Sequence, residues 1–426
     1  MGQYWQFYWP LALTGLAMVL SVQFQNATLA RFPEAVTELA VFALAYSTFG
    51  MFRACLNFNA QLSNVFARSH AGTARTQRFV IAVGLLVMVP LLAIGHTQLG
   101  ADGIAAVYGI DATLTGRVTE YLVYLAPLVL LSALRFYYTG LLVQARLTGW
   151  ITTLTVIYLT SVILGLIVGF SLGHKPVYVL VGSEALALCI YVGGAVWIKT
   201  NFYRLPEVVE HEDLSYSKLI RFFVPISTTG VMFALSRPIL YAFVARAPDG
   251  VFAIAAMRVA FDLAMMFQQA ANQFRHFFVT FGLDDLPEKR RFMAIVGTGI
   301  TAIMLLLALT PLSNLIWRDL MAIPEAVRAA SADVMLVMCL LPAVIIFRNY
   351  YHGRLMVEHR TGGMAAGGIL RVVGIYLLAQ GCFSLGWLNY VSASLILILG
   401  FVIESAVVLV VAKRGVPKAR SQLAAS

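Results

Sequence analysis

Apolar runs long enough to cross a bilayer follow one another along nearly the whole chain, separated by short polar segments. Lipid offers no partner to backbone N–H and C=O groups, so runs of this kind must be helices or the strands of a closed barrel. These runs reach about 20 residues or more and do not alternate in polarity, which excludes barrel strands of about ten residues. The expected fold class is therefore an all-α polytopic membrane protein. Composition agrees, with 60% hydrophobic residues, 12% charged residues and a mean hydropathy of +0.82 over 426 residues.

The apolar windows place twelve helices at 7–29, 37–63, 79–97, 119–145, 150–172, 177–198, 219–245, 250–277, 292–316, 331–357, 364–385 and 389–412. The first run starts almost at Met1 without a basic leader and is too long for a signal-peptide core, so it is expected to be retained. With both termini inside, sixteen basic residues fall on inner loops and the tail and six on outer loops, which favours an N-in, C-in orientation. The net charge of +10 is thus in part topological, and no nucleic-acid partner is expected. Cys55, Cys189, Cys339 and Cys382 lie inside spans without metal-type spacing, so neither a disulfide nor a metal site is implied. No phosphate loop, nucleophile triad or metal-binding histidine motif is present, so the chain reads as no enzyme, with no cofactor.

The chain is written twice. Residues 7–36 lie without gaps on 222–251 at an offset of 215, with eleven of thirty identical, among them Pro10 with Pro225, Ser21 with Ser236 and Arg31 with Arg246. "RFYYTGLLVQARLTG" (135–149) falls on "RNYYHGRLMVEHRTG" (348–362) with seven of fifteen identical, and "FSLG" recurs at 170–173 and 383–386. Six helices per half is an even number, so the halves enter the membrane in the same sense and are parallel repeats. The expected organisation is a six-helix bundle at 1–198, a polar linker at 199–218 whose Glu207, Glu210, Glu212 and Asp213 form a solvated face, a second bundle at 219–412 and a tail at 413–426.

Two six-helix repeats, each opened by a proline-containing helix, resemble the multidrug, oligosaccharide-lipid and polysaccharide exporter superfamily (MATE-like). Within it, an ordered set of strings resembles the progressive ankylosis protein family, in its bacterial form: "LAYS" (44–47), "SRPI" (236–239), "FR" (274–275), Arg348 with Gly353, "LR" (370–371) and "ES" (404–405). The resemblance implies a plasma-membrane exporter of small anions, in a bacterium the inner membrane, with citrate-like carboxylates, ATP and pyrophosphate as the connected metabolites. Arg258 and Asp262 belong to no such string.

Eight arginines fall within spans, at 53, 135, 237, 258, 275, 348, 354 and 371, against three acids clear of the span ends, Glu184, Asp262 and Glu404. A charge at mid-membrane must face protein or a water-filled cavity. The excess of guanidinium forks suits a carboxylate or phosphate and suits a cationic drug poorly. Arg371 and Glu404 lie at matching depth in consecutive helices and are expected to pair. Arg258 and Asp262 are at i and i+4 and are expected to pair too, with Asp262 as a coupling group left as the alternative. Arg135 and Arg348 recur in both halves, and their role stays open between packing and ligand binding. Arg31 and Arg246, beside Pro33 and Pro248, are expected to anchor outer loops.

Arg237 stands where the first half has Val22, and Arg53 where the second has Gln268. The substrate-binding candidates are Arg237, Arg53, Asn57, Asn272, Gln269, Gln25, Asn26, Ser236 and Arg258, on the first two helices of each half, which the resemblance implies meet at a central cleft, together with Arg348 and Arg135. Pro238 removes a donor and disturbs the helix beside Arg237. The expected function is export of small organic anions by alternating access by a monomer, in contact with membrane lipid; the alternative is a flippase for a lipid-linked saccharide pyrophosphate.

Overall fold

The computed structural model describes residues 1–145, 147–204, 214–272, 274–358 and 362–414. The acidic cluster of the linker and the tail from 415 lie outside the described residues, which are helical with no strand. The first half comprises α1 (Gly2–Leu29), α2 (Ala35–Ala54), a 3₁₀ turn (Cys55–Phe58), α3 (Asn59–Phe66), α4 (His70–His96), α5 (Gln98–Tyr108), α6 (Ala112–Gln144), α7 (Thr148–Ser171) and α8 (Pro176–Phe202). The second comprises α9 (Tyr216–Ala234), α10 (Ser236–Val244), α11 (Gly250–Asn272), α12 (Phe274–Phe281), α13 (Leu286–Leu309), the single turn α14 (Leu312–Asn314) with a π-helical turn (Leu315–Leu320), α15 (Glu325–Met338), α16 (Leu341–Val357), α17 (Gly362–Ser384) and α18 (Tyr390–Arg414).

Ten helical segments among the described residues are long and apolar enough to span. The other two expected crossings, α1 and α9–α10, open the two halves. α1 carries Gln3, Gln6, Ser21, Gln23, Gln25 and Asn26, and the second crossing is interrupted at Leu235, three residues before Pro238, whose missing N–H leaves the Ala234 carbonyl without its helical donor. Sequence reading missed α5, which is too short and too amphipathic to register as a span. Thr97 accepts from the Gly100 amide to start it, Gly109 at φ +64° ends it, and Asp111 caps α6 seven residues before the expected start of that span.

The duplication holds in three dimensions. α2 and α11 begin 215 residues apart, as do α3 and α12, so the second helix of each half is broken at the same place. The glycine of the repeated Arg-x-Tyr-Tyr-x-Gly motif explains itself there. A Cβ on Gly140 would collide with the Ser63 hydroxyl and the Ala60 carbonyl of α3, and one on Gly353 with the Phe278 ring of α12. Each glycine lets the broken inner segment of one helix lie directly on its neighbour, α3 on α6 and α12 on α16.

The first helices cross the seam between the halves. α1 packs on α11, α9 packs on α2 and the 3₁₀ turn, and α2 packs on α11. At the end carrying residue 1, rings close the contact in register: Phe7–Phe281 (5.2 Å) mirrors Phe222–Phe66 (5.2 Å), and Tyr8–Phe292 (5.9 Å) mirrors Phe223–Phe79 (5.6 Å). At the opposite end, Arg31 donates to the Leu320 and Met321 carbonyls (2.6 and 3.2 Å), and Arg246 donates to the Ala106 carbonyl. These two arginines are not simple loop anchors. Each reaches from its own half to the backbone of the other.

Candidate functional site

Three polar clusters occupy the interior. The first straddles the seam. Asp262 on α11 receives Arg237 of α10 at 3.0 Å and lies 3.6 Å from Arg258 one turn away. Asn26 of α1 completes it, donating to Asp262 (3.1 Å) and accepting from Arg258 Nε (2.8 Å). The expected Arg258–Asp262 pair is thus present but shared, and Asp262 holds together three helices from both halves. Asn26 and Arg258 are buried, and Arg258 also lies 4.5 Å from the Phe42 ring of α2. Arg237 keeps 30% of its side chain exposed, the most of this group.

The second cluster lies within the second half. Glu404 on α18 receives Arg371 of α17 at 2.6 Å and Arg348 of α16 at 3.3 Å, with His352 Nε2 at 3.5 Å. Arg348 also donates to Asn272 and Asn349 (both 3.2 Å), and Arg371 to the Met232 carbonyl (3.2 Å). Every charged member is at least nine-tenths buried. The expected pairing of Arg371 with Glu404 is present, with Arg348 added to it.

The third cluster lies within the first half and is built differently. Glu184 on α8 accepts from Gln25 Nε2 and the Tyr46 hydroxyl, both at 3.4 Å. Arg53 sits over the Tyr46 and Phe49 rings (5.8 and 5.4 Å), and Arg135 over Tyr158 and Tyr191 (4.6 and 4.8 Å). Among the described residues, neither arginine has a carboxylate within 4.0 Å, although Glu184 is the nearest acid acting on Arg53. Ring faces hold these guanidiniums, at roughly 0.5–2 kcal/mol each, with the Tyr46 hydroxyl as a further partner of Arg53.

The second and third clusters are the same positions. At an offset of 213, Arg135 corresponds to Arg348, Thr139 to His352, Tyr158 to Arg371 and Tyr191 to Glu404. The contacts follow suit: Thr139 Oγ1 to the Tyr191 hydroxyl (3.0 Å) stands where His352 meets Glu404. Extending the alignment past "FSLG" without a gap would have shown these replacements. Sequence reading instead passed over Tyr46, Tyr158, Tyr191, Asn349 and His352.

The remaining candidates scatter. Asn57 is exposed on the 3₁₀ turn, whereas its repeat partner Asn272 is buried and bound to Arg348, so the two do not line the interior equivalently. Gln269 is half-buried, and Ser236 is buried with its hydroxyl unpartnered. Among the described residues no group of three or more histidine, cysteine or acidic side chains is placed to hold a metal.

Comparison with known proteins agrees with the resemblance carried by the sequence. Residues 1–195 match the family model for the progressive ankylosis protein (ANKH). The fold is similar to that of an inward-facing multidrug resistance MATE family transporter of the MOP superfamily, with a TM-score of 0.68 at 13% identity over 94% of this chain and 96% of that one. It is similar also to the lipid II flippase MurJ in an inward closed conformation (TM-score 0.67, 13% identity, 96% and 87% covered). A third similar structure is a MOP superfamily transporter from Pyrococcus furiosus (TM-score 0.57, 13% identity, 95% and 94% covered). At these identities the likeness shows the fold, a MATE-like arrangement of helices.

Proposed function

We propose that the chain is a secondary transporter for small organic anions, citrate-like di- and tricarboxylates first and ATP or pyrophosphate second, working by alternating access as a monomer in the plasma membrane, the inner membrane of a bacterium. The observation that carries this reading is the contrast between equivalent arginines. Arg348 and Arg371 are both bound to Glu404, whereas Arg135 and Arg53 rest on aromatic faces with no carboxylate within 4.0 Å among the described residues. A guanidinium held edge-outward by rings is preorganised for bidentate capture of a carboxylate or phosphate. Arg237, partly exposed at the seam beside Asp262, lies on the other side of the same interior and supplies a second positive contact. Two arginines sharing Asp262 leave that cluster with a net positive charge, which suits an anion and opposes a cation.

Proteoliposomes loaded with labelled citrate, malate or ATP test the reading. Efflux is expected from wild type and is expected to fall about tenfold or more in Arg53→Gln and Arg135→Gln, the loss of one charge-assisted bond being worth about 1.5–3 kcal/mol. Equal flux in wild type and both variants overturns it.

A second reading, transbilayer movement of a lipid-linked saccharide pyrophosphate, is favoured by one feature. A groove of about 650 Å³ runs between α13 and α16, lined by Met293, Leu305, Ile346 and Phe347, with Arg290 at its mouth over the Tyr350 ring (5.6 Å). It has the apolar wall that a lipid tail needs. Movement of such a lipid without citrate efflux, lost when Ala302→Trp fills the groove, would select this reading.

A further inference from the structure

A second cavity, of about 540 Å³, lies at the end of the bundle that carries residue 1 and has no part in the seam. All its lining residues belong to the first half. His70, Thr73, Ala74 and Gln77 form one stripe of α4 at i, i+3, i+4 and i+7, and Lys199, Tyr203 and Arg204 come from the last turn of α8 and the residues after it. Three nitrogen bases therefore face one space, and among the described residues no carboxylate lines it. Among the described residues none of the three enters an ion pair or a side-chain hydrogen bond. Thr73 is more than nine-tenths buried, with its hydroxyl against that of Tyr203. The Tyr203 hydroxyl also bonds Gln144 Oε1 (2.8 Å) and the Ala67 carbonyl (3.4 Å).

We propose that this cavity binds a phosphate group, presented either by an anionic phospholipid or by a soluble phosphate at the face expected to be cytoplasmic. Lysine and arginine supply charge, Gln77 supplies a neutral contact, and α4 begins at His70, so its first amides point the positive end of the helix dipole toward the same region. The bias toward basic inner loops accounts for the presence of Lys199 and Arg204. It does not account for their convergence with His70 on the wall of one cavity. The level of the cavity suits a headgroup: Trp150, Trp197 and Phe202 cluster on the flank of α7 and α8 (5.4–6.0 Å between centroids), as aromatic residues do at a membrane interface.

The test uses the full chain in nanodiscs of phosphatidylcholine, with and without one part in five of phosphatidylglycerol. Native mass spectrometry counts retained phosphatidylglycerol, and calorimetry in pure phosphatidylcholine discs follows inorganic phosphate. The paired substitution Lys199→Gln with Arg204→Gln removes charge from the wall, and Gln77→Glu adds an opposing charge while keeping every base. Each basic residue near a membrane surface contributes enough to lower retention severalfold, so a fall of about tenfold is expected in both variants. A tenfold loss of phosphatidylglycerol identifies a lipid headgroup as the source. A loss of saturable phosphate binding in lipid-neutral discs identifies a soluble one. Binding of neither probe by wild type, or equal binding by wild type and both variants, overturns the proposal.

Discussion

The two halves answer the same structural problem with opposite chemistry. In the second half, Arg348, Arg371, His352 and Glu404 form a buried ionic knot; one repeat earlier, Arg135, Tyr158, Thr139 and Tyr191 occupy the same places with a single charge among them. The knot binds α16, α17 and α18 to one carboxylate and leaves little for a ligand. The aromatic version keeps the helices together through rings and hydroxyls and leaves one cation with no carboxylate within 4.0 Å among the described residues. The two copies share one frame and differ in the charge they carry at these positions. A charge common to both repeats is therefore no guide to its role until its neighbours are compared.

Experiments on equivalent residues test this contrast most directly. Glu404→Gln should have the largest effect, because it strands two buried guanidiniums. Breaking a buried pair in this way costs about 3–5 kcal/mol, seen as a pronounced fall in melting temperature in detergent. Its counterpart Tyr191→Phe removes one hydroxyl contact with Thr139 and should cost only about 1 kcal/mol in the same assay. If the two variants melt alike, the contrast between the halves is wrong.

Next in size is a transplant. Tyr191→Glu gives Arg135 the carboxylate that Arg348 already has, so citrate efflux should fall about tenfold or more while the protein still folds. Retained efflux would separate Arg135 from the substrate path. Asn26→Leu should be milder, at about 1–3 kcal/mol, since it leaves the Arg258 and Asp262 contacts across the seam unmet. Arg31→Ala should be smaller still for stability, about 1 kcal/mol. Its signature is faster labelling of a cysteine placed beside Leu320 at the end opposite residue 1.

Much of the fold was legible in the sequence, because lipid forces long apolar helices and the repeat fixes their number per half. The exceptions are physical. α5 is short and amphipathic, so hydropathy windows average it away, and its boundaries are written in caps at Thr97, Gly109 and Asp111 instead. The site was legible in its charges and illegible in their partners. Arg371 with Glu404 and Arg258 with Asp262 could be paired from depth and spacing. Arg237 drew attention as the unmatched charge, yet it is tied to Asp262, while Arg135, whose twin left its role open between packing and ligand binding, rests on two rings with no carboxylate within 4.0 Å among the described residues. Which acceptor a long side chain reaches depends on how neighbouring helices cross, and a hydropathy profile contains no crossing angles.

The arginines that span the seam at the end opposite residue 1 have a consequence for how such a chain varies. Arg31 and Arg246 take main-chain carbonyls as acceptors, at Leu320, Met321 and Ala106. A carbonyl is present whatever amino acid is encoded, so the codons at 106, 320 and 321 can drift without loosening the contact. The codons at 31 and 246 cannot. One repeat position, occupied in both halves as codons 31 and 246, thus carries a linkage whose other side is immune to substitution. Pairwise covariation between relatives would pass over it, and only a shift of the loop backbone, by insertion or deletion, would remove it from the acceptor side.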